Sequence, residues 1–579
     1  MSLELDTVSY ALISSIVGAA ALLSIRNSKS PDIHPLLLNT QSDVSRLRHP
    51  EESAVYRSRM YPMGTPLCST FDRSIRTLAD LYKLAGGGGS AAGLDKHAEE
   101  EFLLANATTN DYLSYGAVSK KLKPIYHGLR TTAQLVPGND THSFVGLYGR
   151  HSHYTTITEI ACHSHGLVTL PIAYNAPSSH VSHVLQKALL QCLLIDEDLL
   201  DRVLALINGG NKGALKQIVV LPSSKTYTVT NEKKQLAKEN GVDIMTFDEL
   251  EEHGAAAAAA AAATASDKMD ERVIAPTDIA SIYFTSSIRK DAKHGVVLTH
   301  KNLLSSIASY LLVIPPQQRF TTKDRLLLSL PLDNVFGHVL ATAVSVMGGS
   351  IAFLGDDEAE DVFTSDKKSM VAHLKPTLLA SGPAFLQQAK QWIESHYGTS
   401  FLFKRGYNVK KAFLEDGRLV SDCKYDMLVF RAIRQTLFGG NLRLIYIDND
   451  DSTDTDLAMF LRIVLCTQVL QAFNMTETTS SIVASMFYDY NADPEAKGAP
   501  LPCNEIKLVD VPEMNLTAED MPNPRGEIWV RGNNVLTTYY NDIDSSVTSD
   551  VLGSDGWLMT GYLGEMLPNG TVKVIGRKH

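Results

Sequence analysis

Arg525–Asn541 reads RGEIWVRGNNVLTTYYN and Asp555–His579 reads DGWLMTGYLGEMLPNGTVKVIGRKH. The apolar runs here are short and punctuated by Asp-Gly, Asn-Gly and Pro-Asn pairs. Such pairs accept the left-handed backbone of tight turns, so the stretch from Glu505 to the end predicts hairpins and a small β subdomain. Upstream the pattern changes. IASIYF (279–284), LLLSLPL (326–332), SIAFLG (350–355) and LRLIYI (442–447) read as buried strands. SMVAHL (369–374), FLQQAKQWIESH (385–396) and LAMFLRIVL (457–465) carry apolar residues three or four apart and read as helices. Strands alternating with helices predict a layered, largely parallel α/β core.

A chain of 579 residues suits several subdomains rather than one core. Its net charge of -11 argues against a nucleic-acid partner, which would leave a basic footprint. Cys68, Cys162, Cys192, Cys423, Cys466 and Cys503 are scattered with no CxxC pair. That pattern fits a reducing compartment and argues against a disulfide framework or a zinc finger.

Thr7–Ile25, TVSYALISSIVGAAALLSI, is uncharged; Glu4 and Asp6 precede it, and Arg26 and Lys29 follow. At about 1.5 Å per residue a helix of this length just crosses a hydrocarbon core of roughly 30 Å. A cleaved signal peptide usually starts with basic residues, and a buried helix is the other alternative. The charge pattern predicts a membrane anchor over residues 1–30, with the body facing the cytosol at the endoplasmic reticulum or another organelle. Residues 31–50 read as a polar linker. Gly86–Gly89 and Ser90 mark an insertion near 86–95, and Ala255–Ala263 marks a second, low-complexity surface insertion near 254–266. No internal repeat of fixed period is present.

Several motifs carry chemistry. After IASIYF comes TSSIRKDAKHG (Thr285–Gly295), a polar turn placed where a phosphate loop would sit. FNMTETT spans Phe473–Thr479. PLDNVFGH spans Pro331–His338; LKPT (374–377) and Gly382-Pro383 follow. GAPLP (498–502) precedes CNEIKLVDVPEM, and the end carries Thr560-Gly561-Tyr562 and Gly576-Arg577. Together these resemble the adenylate-forming enzymes, most closely the long-chain fatty acyl-CoA synthetases. The resemblance runs from about residue 50 to the end and is dense after Ile279.

The resemblance implies a multi-subdomain α/β large domain over 51–576, with the small β subdomain at its end. It also implies a small C-terminal domain that the chain as written lacks, with 577–579 as a hinge remnant. The family loop reads Thr-Ser-Gly-Thr-Thr-Gly-x-Pro-Lys-Gly, of which Thr285, Ser286, Lys293 and Gly295 remain. Glycines in such a loop let backbone N–H groups reach phosphate oxygens, and a lysine adds charge. Here Ser287 and Lys290 stand in the glycine positions. Thr476 matches the threonine near the adenylate phosphate, and Glu477 the glutamate that holds Mg²⁺. Tyr562 stands where the family has an aspartate that accepts from both ribose hydroxyls. Arg577 matches a ribose or phosphate contact, and Asn334 stands at a histidine position of the acyl pocket around Phe336. Asp448-Asn449-Asp450-Asp451 replaces a small-residue run on the adenine side and reads as a solvated acidic turn.

His151-Ser152-His153 and His163-Ser164-His165 form two HxH pairs, but no carboxylate completes a metal set. No Gly-x-Ser-x-Gly elbow is present. Two functions follow from the resemblance. One is a membrane-anchored ligase that uses ATP, Mg²⁺ and CoA to turn a fatty acid into acyl-CoA through an acyl-adenylate. The other is a pseudoenzyme that keeps the fold and works as a lipid-binding scaffold with a protein partner. The departures at the phosphate loop, the adenine turn and Tyr562 favour the second; Thr476, Glu477 and Arg577 favour the first.

Overall fold

The computed structural model describes residues 10–18, 30–46, 48–83, 97–107, 109–222, 228–263, 272–284, 288, 294–355, 362–363, 367–449, 456–540, 542 and 546–578. Two sheets organise them. In the first, the strands Ile279–Tyr283, Val168–Ala173, Phe144–Gly149, Cys192–Asp196, Gln217–Leu221 and Asp243–Thr246 lie side by side and parallel. Every residue of Phe144–Gly149 and Val168–Ala173 is buried, as a parallel sheet covered on both faces requires. Successive side chains alternate between the layers. Val145 and Leu147 join the core under the helices Tyr115–Thr132 and His153–His165; Phe144 and Tyr148 join the core under Ser178–Lys187 and Leu200–Asn208.

The second sheet begins with parallel strands Ser350–Phe353, Arg325–Ser329, Leu378–Ser381, Leu444–Asn449 and Gln468–Met475. Three of these strands, with Ile279–Tyr283 in the first sheet, carry the four runs read as buried strands. Beyond Gln468–Met475 the pairing turns antiparallel through Ser480–Ala484, Ala496–Pro500, Val572–Arg577, Leu558–Met566, Arg525–Gly532 and Asn504–Val509. The hairpins expected after Glu505 form this limb.

Three features differ from the sequence reading. The alanine run, read as a low-complexity surface insertion, lies at the surface but is regular: it completes the helix Phe247–Ala263. That helix packs tightly on Tyr115–Thr132, because a Cβ on Gly254 would lie 1.8 Å from the Pro124 carbonyl oxygen. Lys121 pairs with Glu251 at 2.6 Å across the same contact. Secondly, the 31–50 segment is a structured arm. Ser42–Val44 pairs with Tyr56–Ser58, which pairs with Asn504–Val509. Thirdly, only residues 10–18 of the apolar N-terminal run are described; they are helical and exposed, and no described helix is long and apolar enough to cross a membrane. The 86–95 insertion lies outside the described residues.

Candidate active site

The strand Gln468–Met475 ends in a tight turn, Thr476–Thr478, that carries Glu477. Glu477 is fully buried. Its Oε1 accepts from the Ile288 backbone N–H at 3.1 Å and from the Tyr539 hydroxyl at 3.2 Å. Thr479 and Ser480 leave the turn at φ +48° and +97°, conformations that non-glycine residues hold only under local constraint. The constraint is a strap formed by residues 533–536. Leu536 N–H donates to the Glu477 carbonyl at 2.8 Å, the Asn534 side chain to the Thr478 carbonyl at 2.8 Å, and the Thr479 hydroxyl to the Asn534 carbonyl at 2.6 Å. Asn302, three residues into its helix, holds the strap from behind by donating to the Asn533 and Val535 carbonyls at 2.8 and 3.0 Å.

The turn opens on a cavity of about 220 Å³ lined by Asn334, Phe336, Asp448, Asn474, Thr476 and Ser480. Asp448 is not a solvated turn residue. It lies at the end of Leu444–Asn449 and accepts from Asn474 at 2.6 Å and from Asn334. Asn334 also caps the helix Val335–Val346, with Oδ1 accepting from Gly337 N–H at 3.0 Å. The Ser480 hydroxyl is buried without a hydrogen-bond partner among the described residues. Phe336, Tyr310 and Tyr446 close the back, with centroid separations of 5.9, 6.0 and 6.4 Å. Behind them lies a second, mainly apolar cavity of about 360 Å³, lined by Tyr310, Tyr446, Leu470, Phe487 and Leu501.

Tyr562 and Arg577, read as separate nucleotide contacts, face each other on paired strands and bond to one another. The Arg577 guanidinium also lies over the Tyr562 ring, 4.4 Å from its centroid, and Phe473 packs edge-on from the other side at 4.8 Å. The phenol is therefore sandwiched and buried. Gly295, read as a phosphate-loop glycine, starts the strand Gly295–Thr299, where a Cβ would lie 2.5 Å from Ile282 Cγ2. It is required for packing at that point. Thr285, Ser286 and Lys293 lie outside the described residues, as do Asp450 and Asp451.

The histidine pairs lie on, and just before, one helix. His153, His163 and His165 share the helix His153–His165, and His151 lies just before it. His163 Nε2 lies 3.2 and 3.1 Å from the Thr169 and Ser281 hydroxyls, and no group of three or more His, Cys, Asp or Glu that could hold a metal occurs among the described residues. Sequence reasoning missed Tyr539, Asn302 and Asn474. Asn474 abuts the Thr-Glu motif and was visible there; the other two reach the site only through tertiary packing.

The sequence model of one family, described as AMP-binding enzyme, matches residues 92–540. The chain belongs to that family. Among curated relatives, long chain acyl-CoA synthetase 7, peroxisomal, of Arabidopsis thaliana is 31% identical over 539 residues, covering 90% of this chain and 70% of its own. Long-chain-fatty-acid–CoA ligase 6 of Mus musculus is 29% identical over 472 residues, covering 81% and 63%. The chain thus spans roughly two thirds of the relatives' length. Among solved structures, a Mycobacterium tuberculosis fatty acyl CoA synthetase aligns with TM-score 0.59 at 16% identity, over 88% of this chain and 79% of that one. The A domain of carboxylic acid reductase from Segniliparus rugosus, in complex with AMP and a co-purified carboxylic acid, aligns with TM-score 0.60 at 15% identity, over 88% and 75%. At these identities the structural likeness speaks for the fold.

AMP-binding enzymes use ATP, and the site meets that demand unevenly. At the turn, Glu477 and Thr476 carry oxygen atoms of the kind a hard divalent ion takes; Thr476 and Ser480 line the cavity, whereas the Glu477 carboxylate is fully buried and already accepts from Ile288 N–H and the Tyr539 hydroxyl. Tyr562, at the position read as a ribose contact, offers one hydroxyl, and that hydroxyl is already engaged by Arg577.

Proposed function

We propose that the chain activates long-chain fatty acids, taking fatty acid, ATP and CoA to acyl-CoA, AMP and pyrophosphate. The observation that supports it is the Thr476–Glu477 turn opening on a cavity with polar amides in front and aromatic rings behind. That gradient suits a carboxylate head on a hydrocarbon tail. The carboxylate attacks the α-phosphate of ATP and expels pyrophosphate; the acyl-adenylate so formed is attacked by the CoA thiol, which releases AMP. In this reading Glu477 provides a Mg²⁺ ligand and Thr476 a hydroxyl for phosphate. Thr285, Ser286 and Lys293 flank the triphosphate, and Arg577 turns from Tyr562 to the nucleotide. Asn334 and Asn474, both fixed on Asp448, orient the carboxylate. A cavity of about 220 Å³ is small for a long acyl chain, so the tail passes the Tyr310–Phe336–Tyr446 wall into the apolar cavity behind it. Tyr446 is the moving part, because its buried hydroxyl has no hydrogen bond to lose among the described residues, whereas Tyr310 is held by Ser481. The Thr7–Ile25 run holds the body to the cytosolic face of an organelle membrane, where the substrate resides.

The deciding experiment is fatty-acid-dependent ATP–pyrophosphate exchange with Mg²⁺ across a panel of chain lengths. Exchange that disappears in Glu477→Ala is the expected result. A folded protein with no exchange on any fatty acid would overturn the ligase reading and leave an acyl-binding scaffold.

A further inference from the structure

The helix Phe401–Glu415 runs antiparallel to the turn Asp426–Phe430 and the helix Arg431–Phe438 that continues it. Two contacts fix that arrangement: Lys410 pairs with Asp426 at 2.7 Å, and the Phe403 and Phe430 rings lie 5.6 Å apart. Phe403, Gly406, Lys410 and Leu414 face the core from one helix; Asp426, Val429, Phe430, Ile433 and Leu437 face it from the other pair. Asp426–Phe430 is a π-helical turn. Two consecutive apolar side chains on it, Met427 and Leu428, stand in solvent at 79% and 61% exposure. Phe401 and Leu402 are exposed on the adjacent helix at 73% and 44%.

Lys404, Arg405, Lys424 and Arg431 are exposed among these four apolar residues, and none of them forms an ion pair with any described residue. A concentration of such cations on a molecule of net charge -11 is a local feature, not a reflection of composition. Large apolar side chains rimmed by lysine and arginine match the layered chemistry of a lipid surface, with headgroup charge outside and hydrocarbon within.

The path of the chain supplies a second argument. Asp32 N–H donates to the Gly417 carbonyl at 3.0 Å, and the Asp32 carboxylate accepts from Leu419 N–H at 3.0 Å and from Tyr490 at 2.7 Å. The N-terminal run therefore joins the body just past the end of the Phe401–Glu415 helix. From Ile25 to Asp32 the chain spans at most about 25 Å, comparable with the roughly 22 Å length of that helix. A bilayer holding Thr7–Ile25 lies within reach of the exposed face.

We propose that Phe401, Leu402, Met427 and Leu428, with Lys404, Arg405, Lys424 and Arg431, form a docking face for an anionic lipid surface. This rests on the membrane reading of Thr7–Ile25 given above. The face turns a single tether into a two-point attachment and fixes the orientation of the body on the membrane.

The test uses the full chain carrying Leu428→Trp, mixed with phosphatidylcholine vesicles containing about 30% phosphatidylserine and brominated acyl chains. The expected result is quenching beyond that of the three native tryptophans in the unsubstituted protein. A companion variant adds Lys404→Glu, Arg405→Glu, Lys424→Glu and Arg431→Glu; it should still float with vesicles while the extra quenching falls at least about tenfold. Flotation without extra quenching overturns the proposal, as does equal quenching on pure phosphatidylcholine. Blue-shifted emission from the introduced tryptophan before lipid is added also overturns it, because the face is then covered by the chain itself or a second copy. Ile16→Lys with Val17→Lys separates the two readings. Continued flotation on anionic vesicles upholds the face and removes the anchor; loss of flotation with extra quenching retained in the Leu428→Trp parent upholds both. No flotation of any form overturns both.

Discussion

Tyr562 is packed between two partners: the Arg577 guanidinium lies over its ring, and Phe473 meets it edge-on. Replacing it with aspartate should leave Arg577 a carboxylate partner and restore a charged acceptor for ribose. Hydrogen bonds to a charged group contribute about 1.5–3 kcal/mol, so Tyr562→Asp should tighten AMP binding by about tenfold or more, as read by calorimetry. A Kd unchanged or weakened would show that the phenol is part of the binding-competent site. Tyr446→Ala should merge the two cavities and shift the preferred fatty acid to longer or bulkier chains in the exchange assay, with short-chain rates little changed. An unaltered chain-length profile would exclude the route past Tyr446. At this scale the sequence was informative where a residue acts with its chain neighbours. The heptapeptide Phe473–Thr479, singled out in the sequence, folds as one strand end and tight turn. Asp448 was misread because its partners, Asn334 and Asn474, come from other elements, and nothing local distinguishes a clamped aspartate from a solvated one.

Elements were legible where burial was two-sided. Strands such as Ser350–Phe353 and Arg325–Ser329 announce themselves as apolar runs because both faces are covered. The alanine run gave no such signal: alanine favours helix but has no periodicity, and Gly254 and Gly128 reveal a helix contact only once both helices are placed. Gly254→Ala should force the helices apart and destabilise the protein by about 1–3 kcal/mol in urea melts, far more than the same change at an exposed position. A neutral result would mean that the contact is looser than 1.8 Å implies. The 533–536 strap offers a second test. Asn302→Ala removes two hydrogen bonds behind the Glu477 turn and leaves two carbonyls unsatisfied. It should cost about 2–4 kcal/mol. Exchange activity should fall more steeply than the folded fraction, since the strap positions Glu477 as well as stabilising the fold.

For the whole molecule, acid should be more damaging than its carboxylates alone would make it. Burial pushes His151, His153 and His300 down to about 4, and His163 well below its usual range. Each is neutral when folded and accepts a proton near 6.5 when unfolded, so its stabilisation is complete above about pH 6.5 and is lost as pH falls toward 4. Each contributes a slope of up to about 1.4 kcal/mol per pH unit across that window. Unfolding midpoints measured between pH 7.5 and 5 should fall steeply, and His151→Asn should flatten the curve; a flat profile in the parent would refute this. Tyr539–Tyr540, which follows the second sheet's strand Arg525–Gly532 in the chain, lies antiparallel to Gly295–Thr299 at the rim of the first sheet. Until residues 300 to 538 have been synthesised, that strand offers a bare row of amides to any passing extended chain. At about 5–20 residues per second the exposure lasts on the order of ten to fifty seconds during translation. The nascent protein is therefore most prone to aggregate midway through its own synthesis, and a ribosome stalled after the first sheet should release a product that depends on chaperones far more than the finished chain does.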